Sequence, residues 1–456
     1  MSQTYTLVNP YNNEQIGEYE YTPWSQVEEK LALLKTGQKV QRKTAAYERA
    51  NVLLKLADLL KDNAEKIARL ITIETGKTIS DSRVEMIRAI NATIASSEEA
   101  RQISGESLDS DAYAPAGGKI GVVCWRPLGT IFCITPFNFP INIAMHKIGP
   151  AYAAGNAILF KPGPQNTATS QLLVELCYEA GMPESVLQFC MPPLSDLDKL
   201  NAHPDVNAIN FTGGTAAANA IAAAAGYKKL LLELGGNDPL IVMDDADLEA
   251  AATSAINHRF ATAGQRCTAA KRLFVHASVY NQFRDILVEK SAALVIGDPM
   301  DDKTFVGPVI HMGAAKEIRQ RIEGAIEDGA TVALGNQYDG AFVHPTILEN
   351  VRADSEVMIE ETFGPVMPLF KFEDVEEIIP VINNTAYGLQ AGIFSNNLSV
   401  IRYLFEELDV GTLATNEGPG FRTEHFPFGG VKESGVGREG IKYAIREMSY
   451  TKTLVI

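Results

Sequence analysis

From about residue 130 onward, short apolar runs alternate with helix-like stretches, and this alternation limits the fold more than any other feature of the chain. The runs "TIFCIT", "AILF", "VLQFC", "AINF", "LLLE" and "LIVM" are separated by segments such as "TATSQLLVELCYEAG" and "ADLEAAATSAINHRF". Strand, helix, strand in that order requires parallel pairing with right-handed crossovers, and therefore a doubly wound α/β sheet. A second alternation follows: "RLFVH", "VYNQFRDILVEKSAAL", "VMPLFKF", "DVEEIIPVINN", "AGIF" and "VIRYLFEELD". The loop "GDPMDDKTFVGPVI" divides this half without the texture of a free linker. With 456 residues there is room for two or three domains, so two α/β domains with a cleft between them are expected. Ahead of them, residues 23 to 75 read as helical. Val52, Leu53, Leu56, Leu59 and Leu60 form one stripe on a 3.6-residue period, and Gly76 is the stop.

Composition removes several classes of function. Apolar residues at 46% and charged residues at 21% describe an ordinary globular protein rather than a disordered or fibrous one. Forty basic against 56 acidic residues leave a formal charge of −16, which repels a phosphate backbone, so no nucleic-acid partner is expected. Any anion that binds must find a local positive pocket against that field. The five cysteines (Cys124, Cys133, Cys177, Cys190, Cys267) are odd in number and show neither a CxxC pair nor zinc-type spacing, so neither a disulfide framework nor a metal site is expected. The start, "MSQTYTLVNPYNNEQIG", has no basic stretch or apolar core, and no segment reaches roughly 18 apolar residues. A cytoplasmic protein that does not enter a membrane is the expectation.

Five short segments carry possible chemistry. In "ATAGQRCTAAKR", Cys267 stands among polar neighbours beside Arg266, whose charge could favour the thiolate; an ordinary buried thiol is the plain alternative. In "LLLELGGNDP", Glu233 closes an apolar strand, where burial would raise its pKa toward that of a general base. Gly235 and Gly236 after it permit close approach of another backbone or a ligand. In "CITPFNFPIN", Pro136 and Pro140 stiffen a loop that presents Asn138, a possible oxyanion donor or simply a turn residue. "FTGGTAAAN" puts Gly213 and Gly214 at a helix start, where unpaired N–H groups favour a pyrophosphate, although the GxGxxG fingerprint is absent. "LFKPGP" adds Lys161 at another strand end.

Taken in order, "PFNFP", "FKP", "FTGGT", "LELGG", "GQRCT", "EETFGPV" and "PFGGVKESGVGREG" resemble the NAD(P)-dependent aldehyde dehydrogenase superfamily over nearly the whole chain. The resemblance implies that fold: a Rossmann-like cofactor domain over 1–235 with a protruding hairpin at about 107–125, a catalytic α/β domain over 236–433, and an oligomerisation tail over 434–456. It also implies a mechanism. Cys267 attacks the aldehyde, Asn138 and the Cys267 N–H hold the oxyanion, and Glu233 activates the water that hydrolyses the thioester. Glu233 speaks against an acylating enzyme, and the three groups together speak against a non-catalytic relative. For NAD or NADP, the resemblance places Lys161 at the adenosine ribose and Gly213 and Gly214 at the pyrophosphate. Glu361 and Phe363 fall at the nicotinamide end, with Thr135, Pro136, Phe137 and Leu234 along the groove. Pro164 stands where NAD-preferring relatives often have an acid, so a 2′-phosphate would not be repelled, and Ala218 replaces a common glycine.

Arg266 and Arg422 resemble positions used by relatives that take aldehydes with anionic tails, such as glyceraldehyde-3-phosphate, phosphonoacetaldehyde, succinate-semialdehyde and lactaldehyde dehydrogenases. A guanidinium fork suits such a tail, and Phe139 would line the same pocket. The final "YAIREMSYTKTLVI" alternates like a strand. In the resembling family it pairs with the hairpin of a neighbouring subunit, which implies a homodimer or homotetramer.

Overall fold

The computed structural model describes residues 3–109 and 112–456. Its first sheet carries Thr130–Ile134, Ala157–Lys161, Leu187–Phe189, Ala208–Thr212 and Lys229–Glu233, all parallel. Thr130–Ile134 and Ala208–Thr212 are buried throughout, which is why they read as unbroken apolar runs rather than alternating ones. The chain winds outward from Thr130–Ile134 in one direction and then returns to build Ala208–Thr212 on its other side. The strand order therefore reverses between these two, and the crevice beyond their carboxyl ends is where such sheets bind ligands.

A second sheet centres on Pro239–Val242, Arg272–His276, Val366–Phe372 and Gln390–Phe394, which pair in parallel. Thr346–Glu349 and Thr412–Thr415 extend it in parallel, and Thr331–Leu334 adds an antiparallel edge. The chain passes from one sheet to the other between Glu233 and Pro239, so the residues of "LELGG" lie at the crossing.

The stretch 23–75 is three helices rather than one: Trp24–Gln41, Ala46–Asp62 and Ala64–Thr75. The last stops at Gly76, whose left-handed φ of 71° is the conformation glycine adopts without penalty. Leu53, Leu56 and Leu60 are fully buried, as the stripe predicts. A further helix, Ile79–Ala100, has no clear apolar stripe because its buried face is built of small and polar residues: Ser82, Ala89, Ala92, Thr93 and Ser96. Small residues let it lie against Pro140–Ala154 so closely that a Cβ on Gly149 would stand 2.5 Å from Ser96 Oγ.

The tail needs a correction. Ser449–Val455 pairs antiparallel with Ile120–Pro127 of the same chain, from Ser449 opposite Pro127 to Val455 opposite Gly121. Glu106–Asp109 pairs on the other side, so the expected hairpin is present within one protomer; its Ser110 and Asp111 lie outside the described residues. The partner needed to cover this terminal strand is supplied in cis, because Ile441–Glu447 packs on Pro140–Ala154 and delivers the tail to its own hairpin. Gly435–Val436 also joins the first sheet beside Lys229–Glu233. Much of 434–456 thus belongs to the body of the molecule. No helix among the described residues is long and apolar enough to cross a membrane.

Candidate active site

A cavity of about 330 Å³ lies beyond the switch point of the first sheet and is lined by Asn138, Glu233 and Cys267. Three different local structures deliver them. Glu233 is the last residue of Lys229–Glu233, and Asn138 sits in the loop between Ile134 and the helix starting at Pro140. Cys267 follows a tight turn over Ala261–Gly264 that enters the strand Arg272–His276. Asn138 and the cysteine loop are tied directly, since Asn138 Nδ2 donates to the Gln265 carbonyl at 2.8 Å. None of the other four thiols lines this cavity: Cys133, Cys177 and Cys190 are buried, where burial pushes each up to about 12, and half-buried Cys124 lies on the strand Ile120–Pro127.

Burial, reinforced by the negative charge of Glu439, raises the Glu233 carboxyl to about 7, against partial relief from Arg422 and Lys147. Glu439 moves the other way. Burial opposes its ionisation, but Lys147 Nζ at 3.0 Å and Arg422 at 2.9 Å more than compensate and hold it ionised. The Cys267 thiol is pushed up by burial and by facing Glu233, with Lys271 pulling the other way. The sequence-based idea that Arg266 makes this a ready thiolate is therefore not what the geometry provides. The neighbour poised to take the thiol proton is the Glu233 carboxylate. Because that carboxyl is protonated below its raised pKa, turnover is expected to climb through a pH near 7 and level off above it. A kcat profile that stays flat from pH 5.5 to 8.5 would contradict this assignment.

Pro136, Phe137, Leu234, Glu361 and Phe363 line the same cavity, as do Gly213 and Gly214, and the Gly213 N–H donates to the Glu233 carbonyl at 3.2 Å. Phe137 and Phe363 meet edge to face at 6.1 Å. Gly214 precedes the helix Thr215–Ala225, whose start has no side-chain cap, and the space where a Cβ would sit on Gly214 is open. The buried hydroxyls of Thr135 and Thr212 have no partner among the described residues. An open helix start, a glycine before it and unpaired hydroxyls beside it fit a dinucleotide. Glu361 is clamped by Lys271 Nζ at 2.9 Å and by the Gly236 N–H at 3.3 Å. A Cβ on Gly235 would come within 2.2 Å of its carboxylate, so glycine is needed there. Lys161 and Thr135 do not line this cavity. Lys161 ends the adjacent strand, where its ammonium donates to the Pro162 carbonyl at 3.2 Å.

The expected substrate residues have a less uniform setting. Phe139 is half-buried, with Lys77 Nζ 3.6 Å and the Arg266 guanidinium 5.7 Å from its ring centre. Arg422 is held by Glu439 and lies 3.8 Å over Phe428, and its side chain meets His146 Nδ1 at 3.1 Å. Sequence reasoning missed Arg88. It projects from Ile79–Ala100 toward both other arginines; burial, then their charge, lowers it to about 10. Its nearest carboxylate, Glu424, is 4.0 Å away. Arg88 Nη2, Arg266 Nε, Arg422 Nε and His146 Nε2 are all buried without a hydrogen-bond partner among the described residues. Nothing in "VEMIRAI" marks Arg88, because only the packing of its helix brings it to the site.

A thiol facing a buried carboxyl and an amide, with an open helix start in the same cavity, defines a class: an oxidoreductase that works through cysteine beside a nicotinamide dinucleotide. Residues 1–454 match the aldehyde dehydrogenase family profile, and the chain belongs to the aldehyde dehydrogenase family, enzymes that oxidise aldehydes with NAD or NADP. It is 80% identical over 456 residues, the full length of both chains, to the sulfoacetaldehyde dehydrogenase of Neptuniibacter caesariensis. It is 38% identical over 451 residues to the 3-sulfolactaldehyde dehydrogenase of Priestia aryabhattai, covering 99% of this chain and 94% of that one. Among solved structures, glyceraldehyde-3-phosphate dehydrogenase from Methanocaldococcus jannaschii complexed with NADP superposes with a TM-score of 0.96 at 34% identity, over 100% of this chain and 99% of that one.

Proposed function

We propose that the protein oxidises a small sulfonate-bearing aldehyde, sulfoacetaldehyde being the best fit, to its carboxylic acid with reduction of NAD(P). The observation that carries this is the group of three arginines with unpartnered buried nitrogens beside the cysteine loop. The three cations repel one another, and although Glu439, Glu424, Glu85 and Asp81 oppose this, each arginine keeps a buried nitrogen without a partner among the described residues, which favours an anion of several oxygens. A sulfonate presents three. In a chain of net charge −16, this group of cations also draws the substrate locally against the overall field.

The residues then take roles. Glu233 accepts the Cys267 proton, and the sulfur attacks the carbonyl carbon to give a thiohemiacetal. Asn138, with one N–H spent on the Gln265 carbonyl, offers the other to the oxyanion alongside the Cys267 backbone N–H. The nicotinamide ring supplies the hydride acceptor when bound. Cys267 is left as a thioester; once Glu233 has passed the first proton to solvent, it takes one from water, whose attack releases the acid, and the proton returns to the departing sulfur to regenerate the thiol. Burial, reinforced by the charge of Glu439 that Lys147 and Arg422 keep ionised, holds the base near neutrality rather than at the ordinary carboxylate value. The hydrolytic route is preferred over acyl transfer because this carboxyl lines the same cavity as the thiol.

For the cofactor, Pro164 leaves no carboxylate three positions after Lys161 to repel a 2′-phosphate, which supports acceptance of NADP. The first sheet with its helices serves as the dinucleotide domain and the second as the catalytic one. The exposed strand Ser449–Val455 and its hairpin offer a surface for a homodimer or homotetramer. A cytoplasmic location would keep the catalytic thiol reduced.

Reduced nucleotide formation with sulfoacetaldehyde and with neutral aldehydes of equal length, using NAD and NADP in turn, tests the reading. Efficient oxidation of the neutral aldehydes and none of the sulfonate would overturn it. Arg88→Met is the cleaner pocket variant, because Arg422 also acts on Glu439. Losing one charged hydrogen-bond donor should raise KM for the sulfonate about 10- to 100-fold. The KM of a neutral aldehyde should stay within about threefold, and equal effects on both would remove the anion pocket.

A further inference from the structure

The loop that delivers Cys267 contains two consecutive non-glycine residues in the left-handed region, Thr262 (φ 56°, ψ 31°) and Ala263 (φ 52°, ψ 33°), followed by Gly264 at φ 73°. A β-branched residue is rarely found there, and such a conformation persists only where its surroundings impose it. Gly264 is dictated by space, since a Cβ on it would stand 2.3 Å from the Gly364 carbonyl oxygen. Thr262 has a different restraint. Its N–H and its hydroxyl both donate to Asp81 Oδ2, at 2.8 and 3.2 Å. Asp81 lies 181 residues away in sequence, in the first turn of Ile79–Ala100, and its own N–H is accepted by the Thr78 hydroxyl at 3.4 Å.

The same stretch supports the opposite wall of the site. Lys77 Nζ donates to the Asn138 carbonyl at 3.0 Å and to Glu85 at 2.6 Å. Glu85 Oε1 accepts from the Ile141 and Asn142 N–H groups at 2.9 and 3.0 Å. Residues 77–85 therefore touch both the turn before the nucleophile and the loop that carries the amide.

We infer that Asp81 is a positioning residue for the nucleophile: by holding Thr262 in the left-handed turn, it aims Cys267 at the carbonyl carbon under Asn138. This rests on the reading of Cys267 as the nucleophile. Asp81 acts through the backbone of the turn and does not touch the substrate. Its charge also faces Lys77 and Arg266, so a purely electrostatic role is the rival explanation.

Three variants separate the possibilities, read as the rate constant of the first-turnover burst of reduced nucleotide, with KM, nucleotide Kd and Tm measured alongside. Asp81→Ala should slow the burst about 10- to 100-fold, the scale expected when a reacting atom is misplaced by around an ångström, with KM and Kd within about twofold. Adding Thr262→Gly to Asp81→Ala should recover at least about tenfold, because glycine occupies positive φ without the restraint. Asp81→Asn keeps an oxygen acceptor for the Thr262 N–H but not the charge, and should stay within about threefold of the parent. It also serves if Asp81→Ala does not fold. An unchanged burst in Asp81→Ala, no recovery in the double variant, or an Asp81→Asn burst slowed tenfold or more would each overturn the inference. Cys267→Ala is the control: a burst that survives in it would defeat the nucleophile reading itself, whereas its loss beside a normal Asp81→Ala burst defeats only the role of Asp81.

Discussion

Cys267→Ala is expected to lower aldehyde oxidation by at least about 10⁴-fold, the scale seen when a covalent nucleophile is removed from a site that otherwise stays intact. The side chain shrinks and loses only weak contacts, so the fold and the nucleotide cradle should be unaffected. Nucleotide Kd should match the parent within about twofold. The physical reason is specific to this geometry. Without sulfur, the cavity holds an aldehyde beside a hydride acceptor but cannot build the tetrahedral alkoxide from which hydride departs. Neither Glu233 nor Asn138 can form that bond at neutral pH. Residual turnover above about one part in a hundred would mean that another group carries the attack. None of Cys124, Cys133, Cys177 and Cys190 can do so, because none of them lines the cavity.

Glu233→Gln should divide the reaction in two. Glutamine keeps the shape of the side chain and removes the basic oxygen, so the thioester should form and persist. The expected record is a burst close to one reduced nucleotide per site, followed by steady turnover about 10² to 10⁴ times slower, the usual worth of a general base. The burst itself should slow less, because bulk base can take the thiol proton before attack, whereas the buried thioester has no alternative base beside it. Turnover of the variant should lose the rise with pH around 7 that the parent owes to this carboxyl. Steady turnover equal to the parent would remove Glu233 from the mechanism. A missing burst would instead make the carboxylate necessary for the first attack.

Much of the molecule was legible before any coordinates. The buried parallel strands announce themselves as apolar runs because both faces are covered, and "LLLE" and "AINF" are wholly or largely buried strands. Asn138, Glu233 and Cys267 were each visible because each follows or precedes a strand within a short stretch rich in glycine or proline, and the cavity holds all three. Helix Ile79–Ala100 was not legible, since its buried face is mostly alanine, serine and threonine, with Ile79 and Met86 too few to make an apolar stripe. Arg88 and Asp81, which it carries, were lost with it. Glu439 was also missed. Its partner Lys147 is 292 residues away, and no local pattern marks a carboxylate that two cations from distant segments will hold ionised.

The sequence alone therefore determined the two wound sheets and the crossing between them, and singled out Asn138, Glu233 and Cys267, because strand burial and turn chemistry act over a few residues and leave periodic or compositional traces. Tertiary structure decided how those groups behave. The raised Glu233 carboxyl, the protonated Cys267 thiol, the convergence of Arg88, Arg266 and Arg422, and the return of the tail to its own hairpin all depend on which charges and backbones lie close in space. Desolvation and Coulomb forces respond to distance through the folded protein, and distance along the chain carries almost none of that information.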